Sequence, residues 1–211
     1  MDAFQDRGRV RAPGQKLARA SRRAHRHLLD GLRSRLDGGE HRVRIALRRV
    51  ILHVNSVDGD IDGVVMRPLT VFNDERGWLV ELFRQDELEQ DRWPAMTYVS
   101  QTAPGVTRGP HEHADQTDGF AFIGPSDFTL FLWDIRPNST TEGRRTIVSV
   151  GESNPMAVWI PPGVVHAYRN VGTVPGVVFN APNRLYAGYG KKGPVDEIRH
   201  ENASPGRFSM D

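Results

Sequence analysis

From Val64 onward the chain alternates short β-prone runs with turn signals. The runs are VVMRPLTVF, WLVELF, MTYVS, GFAFIG, DFTLFLWDI, RTIVSV, MAVWIPPG and GVVFNA. Their spacing of about 8–14 residues is typical of antiparallel strands in a sandwich or a small barrel. Helical periodicity is nearly absent from this region apart from RQDELEQ. The body of the chain is therefore predicted to be all-β.

The run DFTLFLWDI is apolar on both faces of a strand. Phe128, Leu130 and Leu132 alternate with Thr129, Phe131 and Trp133, and successive side chains of a strand point to opposite faces. A strand that is apolar on both faces is covered on both sides. This run is therefore predicted to be a central strand of its sheet.

The N-terminal quarter of the chain has a different composition. Residues 1–57 hold 14 Lys and Arg against 5 Asp and Glu, whereas residues 58–211 hold 14 against 21. This shift indicates a boundary within SVDGDIDG and two parts: a basic extension over 1–57 and a folded domain over 58–211. Apolar residues recur every four positions at Ala24, Leu28, Leu32 and Leu36, so the extension is predicted to be a basic helix or a disordered tail. Nucleic-acid binding is not expected, because no base-stacking aromatic residues lie among its arginines.

The composition narrows the chemistry that the chain can perform. It contains no cysteine, so a metal would need His, carboxylate or amide ligands, and thiol nucleophiles are excluded. No run of about 18 apolar residues occurs, and the first residues do not read as a secretory signal. We expect a cytoplasmic protein that does not contact a membrane.

Two histidine-containing segments are the candidate site. In RGPHEH, His111 and His113 are two residues apart, so they face the same side if this stretch is a strand. In WIPPGVVHAYRN, a Pro-Pro-Gly turn precedes His166, and proline and glycine together favour a sharp bend into the next strand. These segments resemble the paired motifs of the cupin superfamily, H-x-H and P-x-G-x-x-H-x-x-x-N. The resemblance implies a jelly roll, also called a double-stranded β-helix, with the site at its mouth.

Four blocks give a closer resemblance. DERGWLVELF, GVTRGPH, LWDIRPNST and IPPGVVHAY, in this order, resemble the dTDP-4-dehydrorhamnose 3,5-epimerase family, and the likeness covers about residues 61–190. The resemblance implies a homodimer without a cofactor that acts on a nucleotide sugar. It also implies inversion of carbons beside a 4-keto group through enolate intermediates.

The resemblance assigns roles to five residues. His111 matches the family's base, Arg108 and Arg76 match arginines that grip the nucleotide sugar, His166 lines the cavity, and Glu81 falls on a nucleotide-side contact. The chemistry agrees with this assignment. A histidine has a pKa suited to removing a proton beside a ketone, and the planar fork of an arginine donates two parallel hydrogen bonds to a diphosphate.

The chain departs from the family at three points. Phe179 stands where the family has its general-acid tyrosine, the family's lysine falls around Phe120–Ala121, and the C-terminal aspartate that orients the base has no clear counterpart. These departures indicate a divergent branch that epimerises one carbon, isomerises, or acts on another ketone.

Replacements for the missing groups come from nearby segments. Tyr186 is the predicted acid, with Tyr189 as the other candidate in NRLYAGYG. Asp118 is the predicted partner that orients His111, with Asp196 and Glu197 as the other candidates.

Two alternative functions remain open at this point. The first is a metal-dependent cupin enzyme that binds a divalent metal through His111, His113 and His166, with Gln116 or a nearby carboxylate as the fourth ligand. The second is a non-catalytic sugar-binding cupin, which the missing tyrosine suggests.

Overall fold

The computed structural model describes residues 59–201 and 207–211. The predicted basic extension over 1–57, with its helical pattern, lies outside the described residues. Two five-stranded antiparallel sheets pack against each other, and a separate two-stranded hairpin accompanies them. The predicted all-β jelly roll is confirmed.

The first sheet has the strand order β1-β9-β6-β11-β4. Its strands are β1 (Val65–Pro68), β4 (Tyr98–Thr102), β6 (Asp118–Gly124), β9 (Met156–Ile160) and β11 (Gly176–Asn180). The second sheet has the order β12-β5-β10-β7-β8. Its strands are β5 (Thr107–Glu112), β7 (Asp127–Asp134), β8 (Arg145–Gly151), β10 (Val164–Asn170) and β12 (Ile198–Arg199).

The hairpin consists of β2 (Val71–Asp74) and β3 (Gly77–Val80). The RQDELEQ stretch, predicted to be helical, contains a single 3₁₀ turn over Gln85–Glu87, and two further 3₁₀ turns span Gln90–Arg92 and Tyr189–Lys191. In the parts of the chain that the structure covers, no helix has the length and apolar character needed to cross a membrane.

The core lies between the inner faces of the two sheets. It includes the fully buried side chains of Phe122, Phe128, Leu130, Leu132 and Met156. Burial of each such side chain contributes about 1.5–3 kcal/mol relative to exposure. The alternating residues of β7 follow the predicted pattern, because Phe131 and Trp133 pack on the outer face with Phe208. Strand β7 lies between β10 and β8, so its predicted central position is confirmed.

Two glycines allow the backbone to adopt the geometry that the site needs. Gly109 has φ +83°, and a Cβ there would lie 2.5 Å from the carbonyl oxygen of His166. Only glycine therefore lets β5 approach β10 this closely. Gly163 has φ +77° in the Pro-Pro-Gly turn, and the turn leads into β10, the strand that carries His166.

Candidate functional site

A cavity of about 660 Å³ is lined by residues of both sheets. Residues of β4, β5 and β6 line it together with residues of β10 and β11, and the loop over 182–201 forms the remaining wall. His111, His113, Arg108, Asp118 and Tyr186 all contribute to the lining. The structure thus brings together most of the residues that the sequence selected for the site.

His111 and His166 are directly paired across β5 and β10. Their ring centroids are 4.3 Å apart. His113 follows the last residue of β5, and its ring centroid lies 5.7 Å from that of His111. His166 is buried behind the other two imidazoles rather than among the residues that line the cavity.

Asp118, at the start of β6, joins two of the histidines. Its Oδ2 atom lies 3.1 Å from Nε2 of His113 and 3.0 Å from Nε2 of His166. The contact with His166 is electrostatic rather than a well-aligned hydrogen bond, since that Nε2 has no hydrogen-bond partner of good geometry within residues 59–201 and 207–211. Burial alone would raise the pKa of the Asp118 carboxyl, but the neighbouring His113 and His166 hold the pKa well below its usual range. Asp118 is therefore a buried carboxylate.

His113 and His111 differ in their surroundings. Nδ1 of His113 contacts the carbonyl oxygen of Asp196, and its Nε2 faces Asp118, so both ring nitrogens meet acceptors. Burial opposes a charge on His113, but Asp118 and the Asp196 carbonyl outweigh it and raise the pKa of the ring. Burial, together with the nearby His166, lowers the pKa of His111 to about 3. His111 is therefore a neutral imidazole at neutral pH, and the surroundings of His113 favour its protonated form more than those of a free imidazole.

The same cluster has the ligand types of a metal site. One ligand atom from each of His111, His113, Asp118 and His166 lies within 4.8 Å of the others. Nδ1 of His166 contacts the Val164 carbonyl at 3.0 Å, and His113 uses Nδ1 on a carbonyl in the same way. A histidine bonded to a carbonyl through Nδ1 presents Nε2 to a metal. The four residues therefore fit a divalent metal.

Gln116, the fourth ligand in the metal hypothesis, lies next to this cluster. Its Nε2 atom donates to Oδ1 of Asp118 at 2.7 Å and lies 3.3 Å from Nε2 of His113. The carboxylate that contacts the histidines is that of Asp118. It fits the nearby carboxylate that the metal hypothesis gave as the alternative to Gln116.

Arg108 lies on β5 and lines the cavity. Its Nε donates to Oγ1 of Thr102 at 2.9 Å, and its Nη2 donates to the carbonyl oxygen of Gln101 at 2.7 Å. Both acceptors are uncharged, so they orient the guanidinium without neutralising it. This orientation suits an anionic ligand.

The aromatic residues proposed as acids lie in different places. Tyr186 lines the cavity with its side chain largely exposed, whereas Tyr189 is 91% exposed and lies outside the lining. Phe179 points away from the cavity, into an outer cluster with Trp159 and Leu69. Its neighbour Asn180 faces inward.

Arg76 and Glu81 lie outside this cavity. Arg76 is in the turn of the β2–β3 hairpin and pairs with Asp74. Glu81 follows β3, and its Oε2 is 3.7 Å from a guanidinium nitrogen of Arg84.

Several lining residues were not selected from the sequence. Tyr98, on β4, lines the cavity, and burial followed by the charge of Asp118 raises the pKa of its hydroxyl to about 12. The strand alternation of Tyr98 with Ser100 and Thr102 is the signal that could have placed it on the inner face. Asn180, Arg184 and Arg199 also line the cavity, and they belong to segments without a local motif.

Comparisons with known proteins are consistent with this geometry. Residues 58–188 match the family described as dTDP-4-dehydrorhamnose 3,5-epimerase. A probable low-salt glycan biosynthesis epimerase of Haloferax volcanii is 37% identical over 128 residues, covering 60% of this chain and 81% of that protein. A spore coat polysaccharide biosynthesis protein of Bacillus subtilis is 36% identical over 115 residues, covering 54% of this chain and 75% of that protein.

Solved structures share the fold. A dTDP sugar isomerase from Desulfovibrio desulfuricans G20 superposes with a TM-score of 0.60 at 24% identity, covering 69% of this chain and 88% of that one. A 4-keto-6-deoxy sugar epimerase from the novobiocin gene cluster of Streptomyces spheroides gives a TM-score of 0.56 at 19% identity, with 70% and 73% covered. At these identities the likeness shows the jelly roll alone.

Proposed function

The chain belongs to the dTDP-4-dehydrorhamnose 3,5-epimerase family, and on this premise we propose that it epimerises or isomerises a nucleotide-linked 4-keto-6-deoxy sugar. The observation that carries the proposal is the placement of His111 and Arg108 in one cavity. Two relatives above 35% identity are named for glycan or polysaccharide biosynthesis. We therefore propose that the reaction supplies a modified sugar for the synthesis of such a polymer.

His111 is the proposed base. A neutral imidazole can accept the proton that leaves the carbon beside the ketone, and the low pKa of His111 keeps the ring neutral at physiological pH. The enolate that forms carries negative charge, which would raise the proton affinity of a neighbouring imidazole. His113 lines the same cavity, and the positive charge that its raised pKa favours can stabilise the enolate electrostatically.

Arg108 is the proposed contact for the diphosphate of the substrate. Its guanidinium is oriented by Thr102 and Gln101, which are uncharged partners. His166 is proposed to act from behind the lining, since it packs against His111 and contacts Asp118.

Tyr186 is the proposed acid that returns a proton to the sugar. Its place in the cavity lining supports this role, and Tyr189 lacks that support because it lies outside the lining. Asp118 is proposed to act on His111 indirectly, because its carboxylate contacts His113 and His166.

We further propose that the protein is a homodimer in which the β2–β3 hairpin packs on the second copy. Phe72 and Leu79 lie opposite each other on one face of this hairpin and are 58% and 63% exposed, and Trp78 on the other face is 60% exposed. Exposed apolar surface of this kind is typical of an interface, and a two-stranded hairpin alone is only marginally stable. In this arrangement Arg76 and Glu81 would contact substrate bound to the second copy.

The predicted cytoplasmic location remains a prediction, which cell fractionation tests.

A metal-dependent enzyme is the second candidate, and the cluster of His111, His113, Asp118 and His166 favours it. A metal bound there would polarise the ketone oxygen of the substrate as a Lewis acid. Elemental analysis of protein purified without added metal separates the two candidates. Stoichiometric metal that is lost together with activity in His113→Ala would contradict the metal-free proposal.

The decisive experiment is incubation with a dTDP-4-keto-6-deoxyhexose in deuterated water, with NMR detection of deuterium at C3 and C5. We expect exchange at one or both carbons and loss of exchange in His111→Ala. A protein that binds the nucleotide sugar without any exchange would be a non-catalytic sugar-binding cupin, and this outcome would contradict the proposal.

A further inference from the structure

The segment over 194–201 forms one wall of the cavity. Its strand β12 pairs with the edge of β5, with Ile198 opposite Glu112 and Arg199 opposite His111. The backbone N–H of His200 donates to the Pro110 carbonyl at 2.8 Å. The wall is therefore attached along the strand that carries His111.

Asp196 connects this wall to the turn that follows β5. Its Oδ1 accepts a hydrogen bond from the backbone N–H of Ala114 at 2.8 Å. Its Oδ2 accepts hydrogen bonds from the N–H groups of Asp115 and Gln116, both at 2.9 Å. Burial opposes the negative charge of the Asp196 carboxyl, but the hydrogen bonds from these N–H groups outweigh burial and lower its pKa. One carboxylate thus satisfies three consecutive backbone donors across a separation of about 80 residues.

The backbone of Asp196 makes a second connection. Its carbonyl oxygen contacts Nδ1 of His113, the residue immediately before the turn. Gln116 ends the turn and donates from its side chain to Asp118. Asp196 therefore contacts the short segment from His113 to Gln116 at both ends. The side chains of these two end residues both contact the Asp118 carboxylate.

We propose that Asp196 is a positioning residue, which fixes His113 and the turn over 114–116 and thereby sets the arrangement of the catalytic cluster. The expected effect of Asp196 on catalysis rests on the proposed function. This role differs from direct orientation of His111, because the Asp196 carboxylate accepts its hydrogen bonds from backbone N–H groups and the Asp196 carbonyl contacts His113.

The test compares Asp196→Asn with Asp115→Asn in the full chain. Asparagine has the shape of aspartate but can supply only one acceptor oxygen, so at least one of the three N–H groups loses its partner. Asp115 lies in the same turn, and its side chain is exposed and paired only with Arg184 among the described residues, which makes it a matched control. Asp196→Glu keeps the charge and serves as the conservative variant.

Two measurements report on the proposal. The first is kcat and KM for deuterium exchange into a dTDP-4-keto-6-deoxyhexose. We expect kcat to fall tenfold to a hundredfold in Asp196→Asn, which is about the cost of a displacement near 1 Å in an active site, while KM changes little. The second is NMR of the ligand-free protein, in which the amide protons of residues 114–116 and the ring nitrogens of His113 should shift. Asp115→Asn should leave kcat and the His113 ring signals near their wild-type values.

Each outcome decides the proposal. Wild-type kcat and unchanged His113 ring signals in Asp196→Asn would overturn it. Absence of exchange in the wild-type protein would refute the proposed function, and unchanged ring signals would then still overturn the role of Asp196. If Asp196→Asn does not fold, Asp196→Glu is measured instead. Failure of both variants to fold would replace the positioning role with a purely structural one.

Discussion

His111 and His166 face each other across β5 and β10, with their ring centroids 4.3 Å apart. Two imidazoles at this distance cannot both carry a charge without strong repulsion. Burial first, and then His166, lowers the pKa of His111 to about 3. Burial and this pairing together therefore keep the proposed base neutral, in the form that accepts a proton.

Replacement of His111 tests this role directly. We expect His111→Gln to lower kcat for exchange by about 10²–10⁴, the usual contribution of a general base, while binding of the nucleotide sugar is retained. Calorimetric titration measures the binding and NMR in deuterated water measures the exchange.

His200→Gln is the matched control, because His200 lies outside the cavity lining and contacts Glu112 at 2.8 Å. Glutamine can still donate a hydrogen bond to that carboxylate. Exchange at the wild-type rate in His111→Gln would show that another group is the base.

The low pKa of His111 also predicts how stability depends on pH. Its pKa is about 3 in the folded protein against 6.5 as the ordinary value, so between these pH values the unfolded chain binds more protons than the folded one. The free energy of unfolding should therefore decrease as the pH falls from 6.5 towards 3. Urea unfolding at several pH values measures this slope, and His111→Gln should make it shallower. An identical slope in the variant would mean that other groups cause the acid sensitivity.

Much of the fold follows from the sequence, because strand alternation is a local signal. The run from Phe128 to Trp133 predicted a central strand and the structure confirms it. Arg108 and His111 were placed in the site by short motifs. Asp196 was only an alternative candidate for orienting His111, and its contacts with the turn over 114–116 could not be read from the sequence, since they span about 80 residues and only the folded chain brings them together.

Phe179 illustrates a different limit. Its spacing from His166 matches the position of the family's tyrosine, but β11 alternates regularly, with Val178 and Asn180 on the inner face and Phe179 on the outer face. The resemblance gives a position in the chain and does not say which face of the strand that position occupies here. Asn180 therefore lines the cavity and Phe179 packs outside it.

The buried Asp118 carboxylate should matter for stability as well as for chemistry. Asp118→Asn removes the charge that pairs with His113 and leaves the imidazoles facing a neutral amide in place of the carboxylate. Loss of one member of a buried ion pair costs about 3–5 kcal/mol, so a decrease of this size in the free energy of unfolding is expected at pH 7. Since the pKa of Asp118 is lowered on folding, its contribution is present above pH 3.8 and is lost as the pH falls further.

Chemical denaturation monitored by tryptophan fluorescence measures this decrease. The exposed Asp115, whose side chain pairs with Arg184, gives the control variant Asp115→Asn, with an expected change below about 0.5 kcal/mol. A loss in Asp118→Asn no larger than that of the control would refute the role of the buried pair.

The proposed dimer predicts that a charge on the exposed face of the hairpin disrupts assembly. Leu79→Asp places a charge opposite Phe72, where Leu79 is 63% exposed, and we expect the protein to become monomeric. Light scattering after size-exclusion chromatography measures the mass. Val171→Asp, at another exposed apolar position, should leave the assembly unchanged.

Arg76→Ala tests the same arrangement from the substrate side. Loss of a hydrogen bond to a charged group costs about 1.5–3 kcal/mol, which corresponds to a fall in kcat/KM of roughly tenfold to a hundredfold. The dimer should persist in this variant. Unchanged kcat/KM in Arg76→Ala would show that Arg76 does not contact the substrate.

The acid is tested by separating proton removal from proton return. If Tyr186 returns the proton, Tyr186→Phe should still exchange deuterium at the carbon that His111 deprotonates, but the inverted sugar should no longer accumulate. NMR distinguishes exchange with retention from inversion through the ring coupling constants.

Tyr189→Phe is the control, since Tyr189 is 91% exposed and lies outside the cavity lining. Tyr98→Phe is the competing variant, because Tyr98 lines the cavity and the raised pKa of its hydroxyl keeps it protonated. Loss of inversion in Tyr98→Phe, with normal inversion in Tyr186→Phe, would assign the acid to Tyr98 instead.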